Sequence, residues 1–149
     1  MISKYEHFSV SVSCIHQDIQ KIERTEMEKF GLKGPHAQTL LALSRYPEGI
    51  TSVALCEVCE KDKAAISRSV AELEEKGMVL RNQVNGSAYR AKLTLTEKGI
   101  AAADAVSKRA QQAVEQAGAG LGDEQRTVFY QVLALVAGNL HTICKDGLK

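Results

Sequence analysis

Apolar residues recur near the start of the chain at Tyr5, Phe8, Val12, Ile15, Ile19 and Ile22, at intervals alternating between three and four. Such a heptad seam predicts a long helix over about residues 5–29, with a face suited to packing on another long helix. Phe30-Gly31-Leu32-Lys33-Gly34-Pro35 breaks it. Pro35 suits the first position of a second helix, where a missing N–H costs nothing. Leu40, Leu41 and Leu43 give that helix its apolar face, and Tyr46-Pro47-Glu48-Gly49 ends it. Thr51 or Ser52 can cap a short third helix with Leu55, Cys56 and Cys59 on one side. Asp62 caps a fourth to about Lys76, with Ile66, Val70 and Leu73 as its buried stripe and Gly77 as its stop.

Two extended runs follow, near Met78–Gln83 and Tyr89–Leu95, joined across Val84-Asn85-Gly86-Ser87. Asn-Gly is a strong short-range hairpin signal. Thr96-Glu97 then opens an Ala-rich helix to about Ala117, Gly118–Gly122 interrupts it, and Asp123 starts a last helix to about Cys144. That helix is apolar nearly all round, so it must be buried on several sides. The first, fifth and sixth helices therefore read as an intertwined dimer interface. A short helix pair placed before a two-stranded wing is helix-turn-helix in kind, its second helix free to enter a major groove.

Composition narrows the class. The chain has 149 residues, 44% apolar and 25% charged, enough to bury a core and too balanced for disorder. The longest apolar run, Val132–Ala137, is far short of the roughly 18 residues of a membrane span, and Lys4, Glu6 and His7 stand where a secretion signal would be apolar. Four cysteines point to reduced thiols and a cytoplasmic location. The net charge of +1 hides an asymmetry: residues 61–92 hold seven basic against four acidic side chains. An electrostatic footprint on phosphate would lie there. No Gly-rich phosphate loop, nucleophile elbow or HExxH is present, so no enzyme is expected.

Asp62-Lys63-Ala64-Ala65-Ile66-Ser67-Arg68, then Leu73-Glu74-Glu75-Lys76-Gly77, then Leu95-Thr96-Glu97-Lys98-Gly99 across a hairpin of suitable length, resembles the MarR family of winged helix-turn-helix transcriptional regulators. The resemblance implies a mainly α chain with a small two-stranded wing (α+β), a winged helix-turn-helix with a helical dimerisation arm. Residues 35–95 would form the DNA-binding lobe, and 1–30 and 96–149 the dimerisation helices of a single domain. It implies a homodimer on double-stranded, pseudo-palindromic operator DNA, commonly a repressor released by a small-molecule effector, with no cofactor and no membrane partner.

Carried over by position, Lys63, Ala64, Ala65, Ser67 and Arg68 would face the groove. Arg68 is the long donor able to read a guanine edge bidentately. Ser52 and Ser67 suit phosphate or base edges; Arg81, Ser87, Arg90 and Lys92 suit the wing and phosphate steering. Phe8, Val12, Ile15, Ile19, Val132, Leu133 and Leu140 would form the dimer interface. The family's wing carries Asp-x-Arg where this chain has Ser87 and Tyr89, and Arg90 would point to the opposite face unless a bulge re-aims it. That departure keeps open a winged-helix protein-interaction module without specific DNA binding. Cys56 and Cys59, lacking a second ligand pair, read as buried structural thiols. Cys14, His16, His141 and Cys144 read as interface packing, with an inter-subunit thiol sensor or metal site as alternatives. His36, near Glu23, Glu26 and Glu28, reads as solvated, with a zinc ligand as its alternative.

Overall fold

The computed structural model describes residues 3–84 and 86–149; the side chains of Val84, Ser87, Ala88 and Tyr89 are also outside the description. The Asn85 of the expected Asn-Gly turn therefore lies outside the described residues, while Gly86 has a φ of +72°. The elements are α1 (Lys4–Glu28), α2 (His36–Ser44), β1 (Ile50–Thr51), α3 (Ser52–Cys59), α4 (Lys63–Glu75), β2 (Val79–Val84), β3 (Ser87–Leu95), α5 (Glu97–Ala117) and α6 (Asp123–Asp146). The expected wing is a hairpin within a three-stranded antiparallel sheet of order β1-β3-β2. The added strand is only two residues long, pairing Ile50 with Leu93 and Thr51 with Lys92. Strands so short leave no periodic trace in a sequence.

Local chemistry accounts for the boundaries. Ser3 caps α1 through a capping box with Glu6. Pro35 stands just outside α2 at φ −59° and ψ −22°, one residue earlier than its expected place inside the helix. Thr51, rather than Ser52, caps α3 by accepting from the Ala54 N–H, and Asp62 caps α4 by accepting from Ala65 N–H at 2.7 Å. Gly77 ends α4 at φ +71°, a left-handed conformation that costs glycine little.

The chain divides into two compact units, residues 1–111 and 112–149. In the first, Leu40, Leu43, Leu55, Ile66, Val70, Leu73, Met78 and Leu93 are fully buried, and Met27, Ala102, Ala103 and Val106 join the same core. The core thus extends past residues 35–95 to the end of α1 and the first half of α5. The helix-wing junction explains why the two glycine-terminated motifs occur together. Thr96 N–H donates to the Met78 carbonyl at 3.0 Å. The Thr96 hydroxyl donates to the Gly77 carbonyl at 2.7 Å and accepts from Gly99 N–H at 3.1 Å. A Cβ on Gly99 would stand 2.1 Å from the Met78 carbonyl oxygen, so only glycine lets α5 start this close to the end of α4.

Polar groups tie α2 to α4. Thr39 and Ser69, both buried, share a hydrogen bond of 2.8 Å. One turn away, His36 Nε2 lies 2.7 Å from a Glu72 oxygen. His36 is 3% exposed, against the solvated position expected of it. Both ring nitrogens have partners, which offsets the cost of burial. Glu23 and Glu26 are buried as well, Glu23 accepting from the Gln38 amide and Glu26 paired with Lys29 at 2.7 Å. Burial pushes the Glu23 carboxyl above its ordinary value, partly offset by Gln38.

In the second unit, Arg126 Nη2 donates to the Gly118 carbonyl at 2.8 Å and closes the turn before α6. No residue of α6 is buried. By length and composition it is the one helix among the described residues apolar enough to cross a membrane, with mean hydropathy 1.3 over its best window. The count of consecutive apolar residues missed this because Gln131, Gly138, Asn139 and His141 interrupt the run.

Two substitutions test this packing. Gly99→Ala gains helix propensity of about 1 kcal/mol but drives a methyl into the Met78 carbonyl, and a net loss of about 1–3 kcal/mol is expected in urea unfolding at fixed protein concentration. Thr39→Val strands the buried Ser69 hydroxyl and should cost about 1–2 kcal/mol, most of it recovered in the Thr39→Val/Ser69→Ala double variant. Additive losses in the pair would show that the two hydroxyls do not depend on each other.

Candidate nucleic-acid interface

The α3–α4 pair is joined by Glu60, Lys61 and Asp62. Glu60 takes a left-handed conformation at φ 51°, unusual for a residue with a side chain, and Lys61 N–H closes the turn on the Cys56 carbonyl at 3.2 Å. With Ile66, Ser69, Val70 and Leu73 buried, the opposite side of α4 presents Lys63, Ala64, Ser67 and Arg68 to solvent, with Ala65 half-buried. Small residues beside one long cation let a helix approach a groove closely while keeping a reader of base edges. Ser52 lies across from this face: with Val53, Cys56, Lys63 and Ser67 it lines a groove of about 240 Å³ between α3 and α4. Sequence reasoning omitted Val53, which is 54% exposed at the start of α3. A valine in the first turn of a capped helix carries no signal of facing outward; only the docking of α3 on Leu55 turns it there.

The wing residues separate into two groups. Arg81 Nη2 and Nε donate to one Glu74 oxygen at 2.7 and 3.2 Å, so this guanidinium braces β2 against α4. Arg90 and Lys92 are exposed, while Ala91 and Leu93 between and beyond them are buried. Lys92 runs over Gly49, where a Cβ would lie 2.8 Å from its own. Asn82 pairs with Lys92, but Val84 pairs with Ser87, so two steps along β2 are matched by five along β3. Arg90 falls inside this bulge, the device that can re-aim a side chain. The Ser87 side chain lies outside the described residues.

Beside the solvent face of α4, a cleft of about 360 Å³ between the start of α2 and α4 is lined by Lys33, His36, Lys61, Arg68, Ser69 and Glu72 among others. Lys33 Nζ donates to Glu72 Oε1 at 3.0 Å, and with His36 on the other oxygen it holds the Glu72 carboxyl below the usual carboxylate range. Cys56 and Cys59 are half-buried, less enclosed than expected, because α3 turns only its Leu55 side fully inward. Burial raises the Cys59 thiol above its ordinary pKa. Cys14 and Cys144 are exposed.

In the chain taken by itself, Phe8, Val12, Ile15 and Ile19 on α1 are exposed, as are Val132, Leu133 and Leu140 on α6. An apolar stripe of this length rarely stays in water.

Comparison with known proteins agrees with this geometry. Residues 30–86 match the sequence model of the MarR family. No curated protein matches the chain. Among solved structures, a MarR transcriptional regulator from Methanosarcina mazei Go1 superposes with a TM-score of 0.82 at 23% identity, covering 95% of this chain and 94% of the other. A MarR family transcriptional regulator from Listeria monocytogenes, in complex with a 26mer DNA, gives 0.78 at 21% identity over 93% and 94% of the two chains. CouR from Rhodococcus jostii RHA1, bound to p-coumaroyl-CoA, gives 0.75 at 19% over 92% and 96%. The chain has the MarR winged-helix fold, and its helix-turn-helix and the start of its wing carry the MarR family's sequence pattern.

Proposed function

We propose that this protein is a sequence-specific DNA-binding transcriptional regulator, a homodimeric repressor that releases its operator when a small-molecule effector binds. The observation that carries the reading is the solvent face of α4, where Lys63, Ala64, Ser67 and Arg68 stand on a helix held from behind by a rigid core. The Listeria relative of the same fold was captured with DNA, and CouR with an acyl-CoA. Arg68 reads a base edge, Ser52, Lys63 and Ser67 position the helix, Ala64 and Ala65 permit close approach, and Arg90 and Lys92 serve the wing with Ser87 beside them. Arg81 acts through its brace on Glu74 more than through a phosphate.

Residues 35–95 form the DNA-binding lobe, and residues 1–30 and 96–149 the dimerisation arm. The exposed stripes of α1 and α6 are covered by the second copy, and two recognition helices then span about 34 Å, one turn of B-DNA. The effector acts by favouring one spacing of those helices. The protein acts in the cytoplasm and has no catalytic role.

Fluorescence anisotropy on the protein's own upstream DNA tests this reading. Affinity should fall by about 10³–10⁵ between 50 and 200 mM salt if six to ten phosphates are neutralised. Arg68→Ala should cost about 1–3 kcal/mol on operator and far less on scrambled duplex. A flat salt response with no sequence preference would replace the regulator by a winged-helix protein-interaction module.

A further inference from the structure

Arg68 and Glu72 lie four residues apart on α4 and line the same cleft. Residues at this spacing are neighbours on a helix surface, where an arginine can reach the carboxylate. Here Arg68 has no ion pair among the described residues, because both Glu72 oxygens are engaged elsewhere. Lys33 Nζ holds Oε1 at 3.0 Å and His36 Nε2 holds Oε2 at 2.7 Å. The His36 ring cannot turn away. It is buried, and its Nδ1 accepts the Lys33 backbone N–H at 3.0 Å. That acceptor role places the ring proton on Nε2, so His36 donates to Glu72 as a neutral imidazole.

We infer that Lys33 and His36 form a clamp that keeps the Glu72 carboxylate off Arg68, leaving its guanidinium free for DNA. The inference rests on the reading of Arg68 as a base-contacting residue. Lys33, His36 and Glu72 are positioning residues in this scheme: none touches DNA, and each acts through Arg68. Release of the clamp makes Glu72 an internal competitor for the fork that would otherwise grip a guanine edge, since a carboxylate presents the matching bidentate acceptor. The residues come from the loop before α2, the first turn of α2 and the third turn of α4. A shift of α2 relative to α4 would therefore translate directly into loss of a free Arg68.

The test compares Lys33→Met/His36→Leu with the same pair carrying Glu72→Gln, and with the same pair in an Arg68→Ala background. Operator affinity should fall about two- to three-fold in the double variant. It should return to the parent value with Glu72→Gln, and show no further loss on top of Arg68→Ala. His36→Gln, which keeps a donor, should bind like the parent. In DNA-free protein, the Arg68 Nε–H resonance should shift and exchange more slowly in the double variant, and revert with Glu72→Gln. A loss that persists with Glu72→Gln or adds to Arg68→Ala overturns the clamp, since it would mean a direct phosphate contact by Lys33 or general destabilisation. An unchanged Arg68 resonance overturns it too, and does so whether or not Arg68 proves to read DNA. Equal binding of operator by the parent and by Arg68→Ala would instead remove the base-reading role and leave the resonance to decide the clamp.

Discussion

Where α4 ends, the wing begins and α5 starts, three backbone segments meet within a few ångströms. Thr96 bonds to Gly77, Met78 and Gly99 at once, and the approach is so close that no side chain fits at position 99. The α4 helix has its C-terminal end fixed there to both the hairpin and the long α5 helix. Its N-terminal end is fixed by the Asp62 cap and the Glu60 turn. A helix pinned at both ends over a core of Ile66, Val70 and Leu73 can present an outer face of small residues without losing its place. The contacts with DNA proposed here depend on that rigidity, because a side chain reads a base edge only when its backbone is already positioned.

Charge is distributed with the same economy. The basic excess between residues 61 and 92 is modest, and one of its arginines is internally committed. Arg81 pairs with Glu74, while Lys33, from the loop before α2, pairs with Glu72. What remains exposed on α4 and β3 is Lys63, Arg68, Arg90 and Lys92. Counting charges in the sequence gives the net balance but hides which arginine is held in an ion pair. Ion pairs at these exposed or half-exposed sites contribute little to stability; their consequence here is which cations stay available.

Much of the fold was legible because its signals are local. The caps at Thr51 and Asp62, the stop at Gly77 and the stripe of Ile66, Val70 and Leu73 each depend on a few neighbouring residues. Hidden features were those that depend on distant partners. β1 is two residues long and exists only because β3 lies beside it. His36 reads as an ordinary exposed histidine until Glu72, 36 residues away, closes on it. Val53 carries no sign of its outward position until α3 docks on its Leu55 side.

The sequence by itself determined the order of helices and hairpin, the glycines and caps that bound them, and the face of α4 that carries Lys63, Ser67 and Arg68. Periodicity and backbone preference act within a turn or two, so they survive without the rest of the chain. Only the tertiary structure decided which charged groups pair, which histidine is buried, and that Arg81 is braced while Arg68 has no ion pair among the described residues. Those outcomes turn on distances of 2.7–3.0 Å between residues seven to thirty-nine positions apart, and no local pattern encodes such distances.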